Sequence, residues 1–211
     1  FNGMVEDIDE EKLRLKVFPV YQNRFNKAVQ RVKRGLINNE LGKINICSIR
    51  VRWCRPQRYY DLSPWRGTFF LDGGCLTNQG IHHLDLARFL CSDVESVSAN
   101  MSTLGSKVEV EDTVIGSLIF NNGAVGSIEI TTSARPKDYE ASISLVCEKG
   151  IVQIGGIAVN ELQEYSVNNK ICRKYSEDFK NDIYGNGHYL IYKEIYNVYN
   201  NNTKYFIDEV D

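Results

Sequence analysis

The chain contains 211 residues, carries a formal net charge of −2 at pH 7, and is 43% hydrophobic. A chain of this length can bury one substantial core, and its mixed charge gives no general electrostatic footprint for nucleic acid or an anionic membrane. No apolar run approaches the roughly 20 residues that span a bilayer, and the six cysteines form no C-x-x-C pair. We therefore expect a soluble, cytoplasmic protein with buried, reduced thiols.

The first predicted elements are a helix and a long strand. Asn26 is predicted to be the N-cap of a helix that runs to about Asn39 along one apolar stripe. The following strand covers residues 43–55, with Ile49, Val51 and Trp53 on one face and Ser48, Arg50 and Arg52 on the other. So polar a face is unusual for a core strand, which predicts that this second face borders a wet cleft or a subunit interface.

A glycine-rich bend leads into the second predicted helix. Residues 73–85 read GGCLTNQGIHHLD, and the helix is predicted over residues 76–90. The bend places two adjacent histidines, His82 and His83, one to two turns into this helix. The segment is therefore the main candidate for chemistry at neutral pH.

The second half of the chain is predicted to be a strand meander followed by a helix over residues 187–200. Tight turns are expected at Asn122-Gly123 and Lys149-Gly150. The predicted strands cover residues 95–103, 113–120, 124–131, 141–148 and 151–154. This order predicts an α+β fold in which a large, mainly antiparallel, open-faced sheet carries helices on one face.

The opposite face of this sheet would remain apolar. Its uncovered surface is expected to include Ile128, Ile130, Ile143 and Leu145. Because monomeric proteins rarely expose so broad an apolar patch, we expect a homo-oligomer that forms through the open sheet face.

Four stretches resemble one enzyme family. Residues 72–82 read DGGCLTNQGIH, residues 110–113 read VEDT, and residues 22–25 and 50–62 read QNRF and RVRWCRPQRYYDL. Together they resemble the Gfo/Idh/MocA group of NAD(P)-dependent sugar oxidoreductases. Within that group they are most similar to dehydrogenases that oxidise C3 of UDP-N-acetyl-glucosaminuronic acid in lipopolysaccharide and O-antigen sugar synthesis.

The resemblance implies a further domain. Members of the family carry an N-terminal Rossmann half with a G-x-G-x-x-G fingerprint and a Lys-Pro pair, and neither motif occurs in these residues. We therefore interpret residues 1–24 as a remnant of the nucleotide-binding domain. Residues 25–211 are interpreted as a substrate-binding and oligomerisation domain, truncated at its C-terminus. NAD, or NADP, would then be bound mainly by the missing half, and the chain alone is predicted to be inactive.

His82 aligns with the histidine of the family motif, which implies that it is the catalytic base. Oxidation of a sugar hydroxyl requires a base for its proton, and imidazole, with an ordinary pKa of about 6.5, suits this task near neutrality. The resemblance also implies a lysine in the missing half that orients the hydroxyl. The alternative is a histidine that caps or packs within its helix. His83 points about 100° away around the helix and is predicted to be structural, or at most to support His82.

Asn78 occupies a position where the family motif usually has aspartate. On a continuous helix, Asn78 and His82 would lie one turn apart and could touch the same sugar. A neutral amide can donate as well as accept, which suits a substrate that is itself anionic. The alternative is an amide that bonds only its own helix turn. Thr77 is a further candidate for substrate binding.

Basic and aromatic residues between positions 50 and 66 fit the same anionic ligand. Arginine donors match phosphate or carboxylate oxygens, and tyrosine rings can stack on a base or sugar face. Nucleic-acid binding uses the same residue types, but here the positive charge is local. The substrate-binding candidates are Arg52, Arg55, Arg58, Tyr59 and Tyr60.

Candidates for the edge of the cofactor site come from two segments. Trp65 and Arg66 resemble the family's W-R pair near the nicotinamide; alternatively, Trp65 is a core residue and Arg66 a solvated salt-bridge partner. Asn23 and Arg24 are weaker candidates, through the family's R-F pair. No metal is predicted, because the resemblance explains His82 and its acidic neighbours without one.

Other functions are compatible with the same residues. A relative that acts on inositol, a free sugar or a glycoside would carry similar motifs, and a non-catalytic scaffold could keep the fold. Glu111 and Asp112 could form an acid–base pair. Adjacent strand residues point to opposite faces, however, which favours turn and strand-start roles for them.

Overall fold

The computed structural model describes residues 17–179, 185–201 and 203–207. Strands β1 to β7 of the described part are Ile44–Arg52, Val94–Ser102, Thr113–Phe120, Val125–Thr131, Glu140–Cys147, Ile151–Gly155 and Glu161–Tyr165. Helices α1 to α6 are Lys27–Ile37, Gln57–Asp61, Gly74–Thr77, Ile81–Leu90, Cys172–Tyr175 and Gly187–Asn201. Short 3-10 helices cover Gln22–Phe25 and Asn169–Ile171. Most of the proposed remnant domain, residues 1–16, lies outside the described residues.

The seven strands form one sheet in the order β2-β3-β4-β1-β5-β6-β7. Neighbouring strands are antiparallel except for the parallel pair β1 and β4. This exception arises because the chain leaves β1 through α2, α3 and α4 and re-enters the sheet at β2. Gly123, with a φ of 84°, then makes the tight turn that joins β3 to β4. The predicted α+β fold with a large, mainly antiparallel sheet is confirmed.

Helices α1, α3 and α4 cover one face of this sheet. Helix α4 contacts β1, α3 contacts β3 and β4, and α1 contacts β6 and β7. The main core lies between the two layers, because the strands turn every second side chain toward the helices. Its fully buried members include Val29, Val32, Ile49, Val51, Leu86, Ile130, Ile143 and Leu145.

The helix predicted over residues 76–90 is interrupted. Helix α3 ends at Thr77 and α4 begins at Ile81, with a bend at residues 78–80. The bend packs tightly at Gly80, where an added Cβ would lie 2.6 Å from the Ile130 side chain and 2.8 Å from the Leu76 carbonyl oxygen. Only glycine fits so close to the sheet, and the chain turns there before it resumes as α4.

Two smaller features also differ from the expectation. Asn26 is at the N-cap position of α1 as predicted, but its side-chain amide donates to the Ala158 carbonyl at 2.8 Å and does not cap the helix. The edge strand β7 was not predicted. Its sequence, ELQEY, is largely polar, and only Leu162 and Tyr165 are buried against α1 and its neighbours.

The expectation about the open sheet face was wrong in its residues. Ile128, Ile130, Ile143 and Leu145 are at most 3% exposed and belong to the face that the helices cover. The open face is marked instead by a row of apolar residues, one from each of five adjacent strands, that are 37–50% exposed: Ile119, Val125, Ile46, Val146 and Ile151. We call these five residues the apolar row.

A second row of side chains lies beside the apolar row. It consists of serines in register on five adjacent strands: Ser98, Ser117, Ser127, Ser48 and Ser144. These two rows make this part of the open face a surface of small polar and medium apolar groups. The charged side chains of Arg50, Arg52, Glu129 and Glu140 lie beyond the serines on the same face. Within the described part of the chain, no helix combines the length and the apolar character needed to cross a bilayer.

Candidate active site around the glycine bend

The glycine bend is held in place by Glu111. Gly73 and Gly74 have φ values of 76° and 90°, which residues other than glycine rarely adopt. An added Cβ on Gly74 would lie 2.1 Å from a carboxylate oxygen of Glu111. That carboxylate accepts a hydrogen bond from the Leu76 amide at 3.1 Å, and the Glu111 carbonyl accepts one from the Cys75 amide at 3.0 Å. Glu111 thus fixes the first turn of α3.

Asp112, the next residue, holds a different loop. Its buried carboxylate accepts hydrogen bonds from the amides of Leu104, Gly105 and Ser106. These bonds keep the pKa of the carboxyl below its usual value in spite of burial. The two acidic residues therefore act on separate segments. Both precede β3, which agrees with the turn and strand-start roles predicted for them, although their specific partners could not be read from the sequence.

His82 lies in the first turn of α4. Its ring packs edge-on against Tyr21, with centroids 6.1 Å apart. Nδ1 is buried and has no hydrogen-bond partner among the described residues, which makes Nε2 the candidate atom for accepting a proton. Burial lowers the pKa of His82, and the charge of neighbouring His188 lowers it further. The imidazole is therefore neutral near pH 7, as a general base must be.

His83 has a different environment from its neighbour. It is 1% exposed, and its ring meets that of Trp53 edge to face at 5.8 Å. Burial, followed by the charge of His82, lowers the pKa of His83 to about 3. A ring enclosed in this way cannot reach a substrate, which agrees with the structural role predicted for it.

Asn78 is placed by the bend and not by a helix. Because α4 begins only at Ile81, the continuous helix that would set Asn78 and His82 one turn apart is interrupted. The Asn78 amide nitrogen donates to a carboxylate oxygen of Asp72. Thr77 is exposed, and its hydroxyl donates to the Asp72 carbonyl at 3.3 Å. Asn78 and Thr77 both remain on the same side of the sheet as His82.

Arg52 is not brought to this site. It points to the open face of the sheet, where it donates to Glu129 at 2.8 Å and to Glu140 at 3.1 Å. The helix that carries His82 covers the other face. The structure therefore does not support a substrate contact by Arg52 in a site built around His82.

Four of the other candidates form one cluster of cations and rings. The Arg66 guanidinium lies 4.1 Å from the centroid of the Tyr59 ring and 4.6 Å from that of Trp65. Arg55 lies 5.4 Å from the Tyr59 ring and donates to Asp138 at 3.0 Å. Arg58 is exposed on α2 close by. The residues assigned to substrate and to cofactor from the sequence thus meet around Tyr59.

Tyr60 is a structural member of this region. It is buried, and its hydroxyl lies 2.9 Å from that of Thr132 in a hydrogen bond. Burial raises the pKa of Tyr60. The ring is therefore not free to stack on a sugar or a base, which counts against its predicted role.

A cleft of about 460 Å³ adjoins the cluster. It is lined by α2 and the loops on either side, including Tyr60, Arg66 and Lys107. A second cleft, of about 330 Å³, lies beyond Trp53 near Glu140 and Gln153. Neither of these two clefts is lined by His82.

The two weaker cofactor candidates are buried. Asn23 is 8% exposed. The Arg24 guanidinium makes a forked contact with Asp85 at 2.6 to 3.1 Å, and both side chains are 4% exposed. This pair ties the 3-10 helix Gln22–Phe25 to α4. Among the described residues, no group of three or more histidines, cysteines or acidic residues is arranged to hold a metal.

Comparisons with known proteins identify the family. The protein-family model described as the GFO/IDH/MocA C-terminal domain matches residues 29–153. The WlbA dehydrogenase of Bordetella pertussis, solved with NADH and UDP-GlcNAcA, is 35% identical with a TM-score of 0.83 over 93% of this chain and 58% of its own. WlbA of Chromobacterium violaceum, solved with the same two ligands, is 38% identical with a TM-score of 0.80 over 92% of this chain and 55% of its own.

More distant structures share the fold alone. Levoglucosan dehydrogenase, solved with NADH and levoglucosan, is 24% identical with a TM-score of 0.61 over 67% of this chain and 41% of its own. Curated proteins gave no match. The chain spans little more than half the length of the two WlbA dehydrogenases. With a matching family model over more than half of its residues, the chain belongs to the GFO/IDH/MocA family and contains the C-terminal domain of that family.

Proposed function

We propose that this chain is the substrate-binding part of an NAD-dependent nucleotide-sugar dehydrogenase. The reaction is oxidation of the C3 hydroxyl of a UDP-N-acetyl-hexosaminuronate, in lipopolysaccharide or O-antigen sugar synthesis in the cytoplasm. One observation carries the proposal: a neutral histidine, His82, follows the glycine bend in a chain 35–38% identical to dehydrogenases solved with NADH and UDP-GlcNAcA. In this proposal residues 25–211 bind the substrate and assemble the oligomer, and residues 1–24 complete the nucleotide-binding half.

His82 acts in this proposal as the general base. Nε2 takes the hydroxyl proton while the hydride leaves the same carbon, so that the alcohol becomes a ketone. The lowered pKa of His82 keeps the ring ready to accept that proton. The edge-on contact with Tyr21 and the burial of Nδ1 hold the His82 imidazole in one orientation. A fixed ring presents Nε2 in one direction, which favours one hydroxyl of the sugar.

NAD would supply the acceptor for that hydride when it is bound. From this chain, Trp65 and Arg66 fit the edge of a cofactor site. The Trp65 indole is 38% exposed, and Arg66 Nε is buried without a hydrogen-bond partner among the described residues. The Arg24 side chain does not fit, because Asp85 engages it inside the protein. Asn23 stays a candidate for the edge of the cofactor site only because of its position in the 3-10 helix Gln22–Phe25.

The cation and ring cluster suits the diphosphate end of the substrate. Arg58 is exposed, and Arg55 is held beside it by Asp138 and the Tyr59 ring. Guanidinium groups match phosphate oxygens in a forked geometry. The positive charge that supports this assignment is confined to this cluster, since the chain as a whole carries a net charge of −2.

A homo-oligomer through the open face is part of the same proposal. The apolar row crosses five strands at 37–50% exposure, and the adjacent serines carry no bulk that would hold a second sheet away. A stable interface buries about 1,200 Å² or more in total, which a seven-stranded face can supply.

Binding measurements test the proposed substrate class. In calorimetry, the complete gene product should bind UDP-N-acetyl-glucosaminuronate at least tenfold more tightly than UDP-N-acetylglucosamine, because the second compound lacks the carboxylate. A factor of ten in affinity corresponds to about 1.4 kcal/mol of binding free energy. Inositol and free glucuronate should bind more weakly still. Tighter binding of inositol or a free sugar would favour the alternative family activities. Binding of none of these compounds would favour a scaffold.

A further inference from the structure

The buried carboxylate of Asp72 has no part in the proposed reaction, yet it lies between two segments of the site. It is 7% exposed. One oxygen accepts a hydrogen bond from the Gly67 amide at 2.6 Å, and the other accepts one from the Asn78 side-chain amide. Asp72 therefore joins the loop that carries Trp65 and Arg66 to the bend that carries Asn78.

The direction of the Asn78 amide follows from this contact. A carboxylate can only accept hydrogen bonds, so the amide must turn its nitrogen, and not its oxygen, toward Asp72. The Asn78 oxygen then points elsewhere, and it has no hydrogen-bond partner among the described residues. An aspartate in place of Asn78 would set two carboxylates in contact, which is unfavourable.

Gly67 makes the other half of the arrangement rigid. Its φ is 72°, and an added Cβ would lie 2.7 Å from the Val108 side chain. Its carbonyl also accepts a hydrogen bond from the Glu109 amide at 3.0 Å. Since Gly67 cannot move easily, the Asp72 oxygen that faces its amide is fixed, and the oxygen that faces Asn78 is fixed with it.

We propose that Asp72 is a positioning residue that orients the Asn78 amide so that its oxygen is presented to the substrate as a hydrogen-bond acceptor. The partner would be a hydroxyl or amide N–H of the sugar, which rests on the proposed function. This orientation differs from the donor role toward an anionic group that the sequence suggested for Asn78. Asp72 itself touches no substrate.

A reciprocal exchange tests the orientation. In Asp72→Asn, the new amide accepts from Gly67 with its oxygen and offers its nitrogen to Asn78. Asn78 must then rotate and present a donor outward. The double variant Asp72→Asn with Asn78→Asp restores both a matched pair and an outward acceptor. Asp93→Asn, which changes an exposed carboxylate between α4 and β2, is the control.

Calorimetry with UDP-N-acetyl-glucosaminuronate on the complete gene product gives the first readout. Asp72→Asn should weaken binding by about tenfold or more, as expected for a lost polar contact. The double variant should return to within about threefold of wild type, and the control should not change. Unchanged binding in Asp72→Asn, or a double variant no better than the single one, would overturn the proposal.

Urea unfolding of the same variants gives a readout that does not depend on the substrate. Asp72→Asn and Asn78→Asp should each lower the midpoint, and the double variant should recover most of the loss. If wild type binds no UDP-sugar, the proposed function fails. The urea midpoints still test whether Asp72 and Asn78 form the oriented pair. Recovery in the double variant supports the oriented pair, and additive losses contradict it.

Discussion

The buried ion pair between Arg24 and Asp85 gives the sharpest stability prediction. Its atoms are 2.6 to 3.1 Å apart, both side chains are 4% exposed, and the partners are separated by 61 residues in the sequence. Asp85→Asn keeps the shape of the side chain and removes its charge. Arg24 would then lose this charge-assisted contact inside the protein, which disfavours the folded state.

The expected cost of Asp85→Asn is about 3–5 kcal/mol, the range for breaking a buried pair from one side. The same helix offers a matched control. Arg88 and Asp93 are 2.6 Å apart, but their side chains are 33% and 65% exposed. Asp93→Asn should therefore cost no more than about 1 kcal/mol, because water replaces the lost contact.

Urea unfolding followed by circular dichroism measures both changes. With a slope of about 3 kcal/mol per molar urea, Asp85→Asn should move the midpoint by roughly 1 M or more, and Asp93→Asn by a few tenths. The loss should be shared by Asp85→Ala, which also removes the charge. Equal and small shifts for the two asparagine variants would refute the reasoning from burial.

Three further predictions concern the site and the open face. His82→Ala should lower kcat by roughly 10²–10⁴ with little effect on sugar affinity, and His83→Ala much less; in wild type, kcat/KM should fall as acid protonates His82 below its ordinary pKa of about 6.5. Equal kcat losses would remove the distinction. Arg58→Ala should weaken UDP-sugar binding in calorimetry by about 1.5–3 kcal/mol, and unchanged affinity would move the diphosphate elsewhere. Val125→Lys, at a half-exposed position, should yield a folded monomer in sedimentation, whereas Ile128→Lys, at 3% exposure, should unfold the domain. A wild-type monomer at micromolar concentration would contradict the proposed interface.

Periodicity was sufficient to predict most of the sheet. Strand β3 was predicted with its observed bounds, and β4, β5 and β6 within one residue at each end. These segments alternate strongly or end at glycine turns, and the signal is local. The missing strand β7 has a polar sequence, and it pairs only because β6 offers it an edge.

The choice of sheet face could not be made from alternation alone. Alternation shows that Ile128 and Val125 point to opposite sides, but not which side the helices cover. That depends on how α3 and α4 return from β1, a contact between distant segments. The error therefore placed Ile128 and Ile130 on the wrong face while the architecture itself was predicted correctly.

Long-range partners account for the other differences at the site. The bend at Gly80 depends on Ile130, and the roles of Arg24 and Asn78 depend on Asp85 and Asp72. In each case a polar or glycine residue is fixed by a partner that no local pattern reveals. His82, by contrast, is a candidate that the motif itself supplies, because the motif includes the glycine bend that precedes its helix.

The most direct test of the central claim is the chemical fate of the sugar. The complete gene product, incubated with NAD and UDP-N-acetyl-glucosaminuronate in amounts close to that of the enzyme, should form a nucleotide sugar lighter by two hydrogens in mass spectrometry. His82→Ala should form it far more slowly. An unchanged sugar after incubation with folded enzyme that binds both compounds would contradict the account.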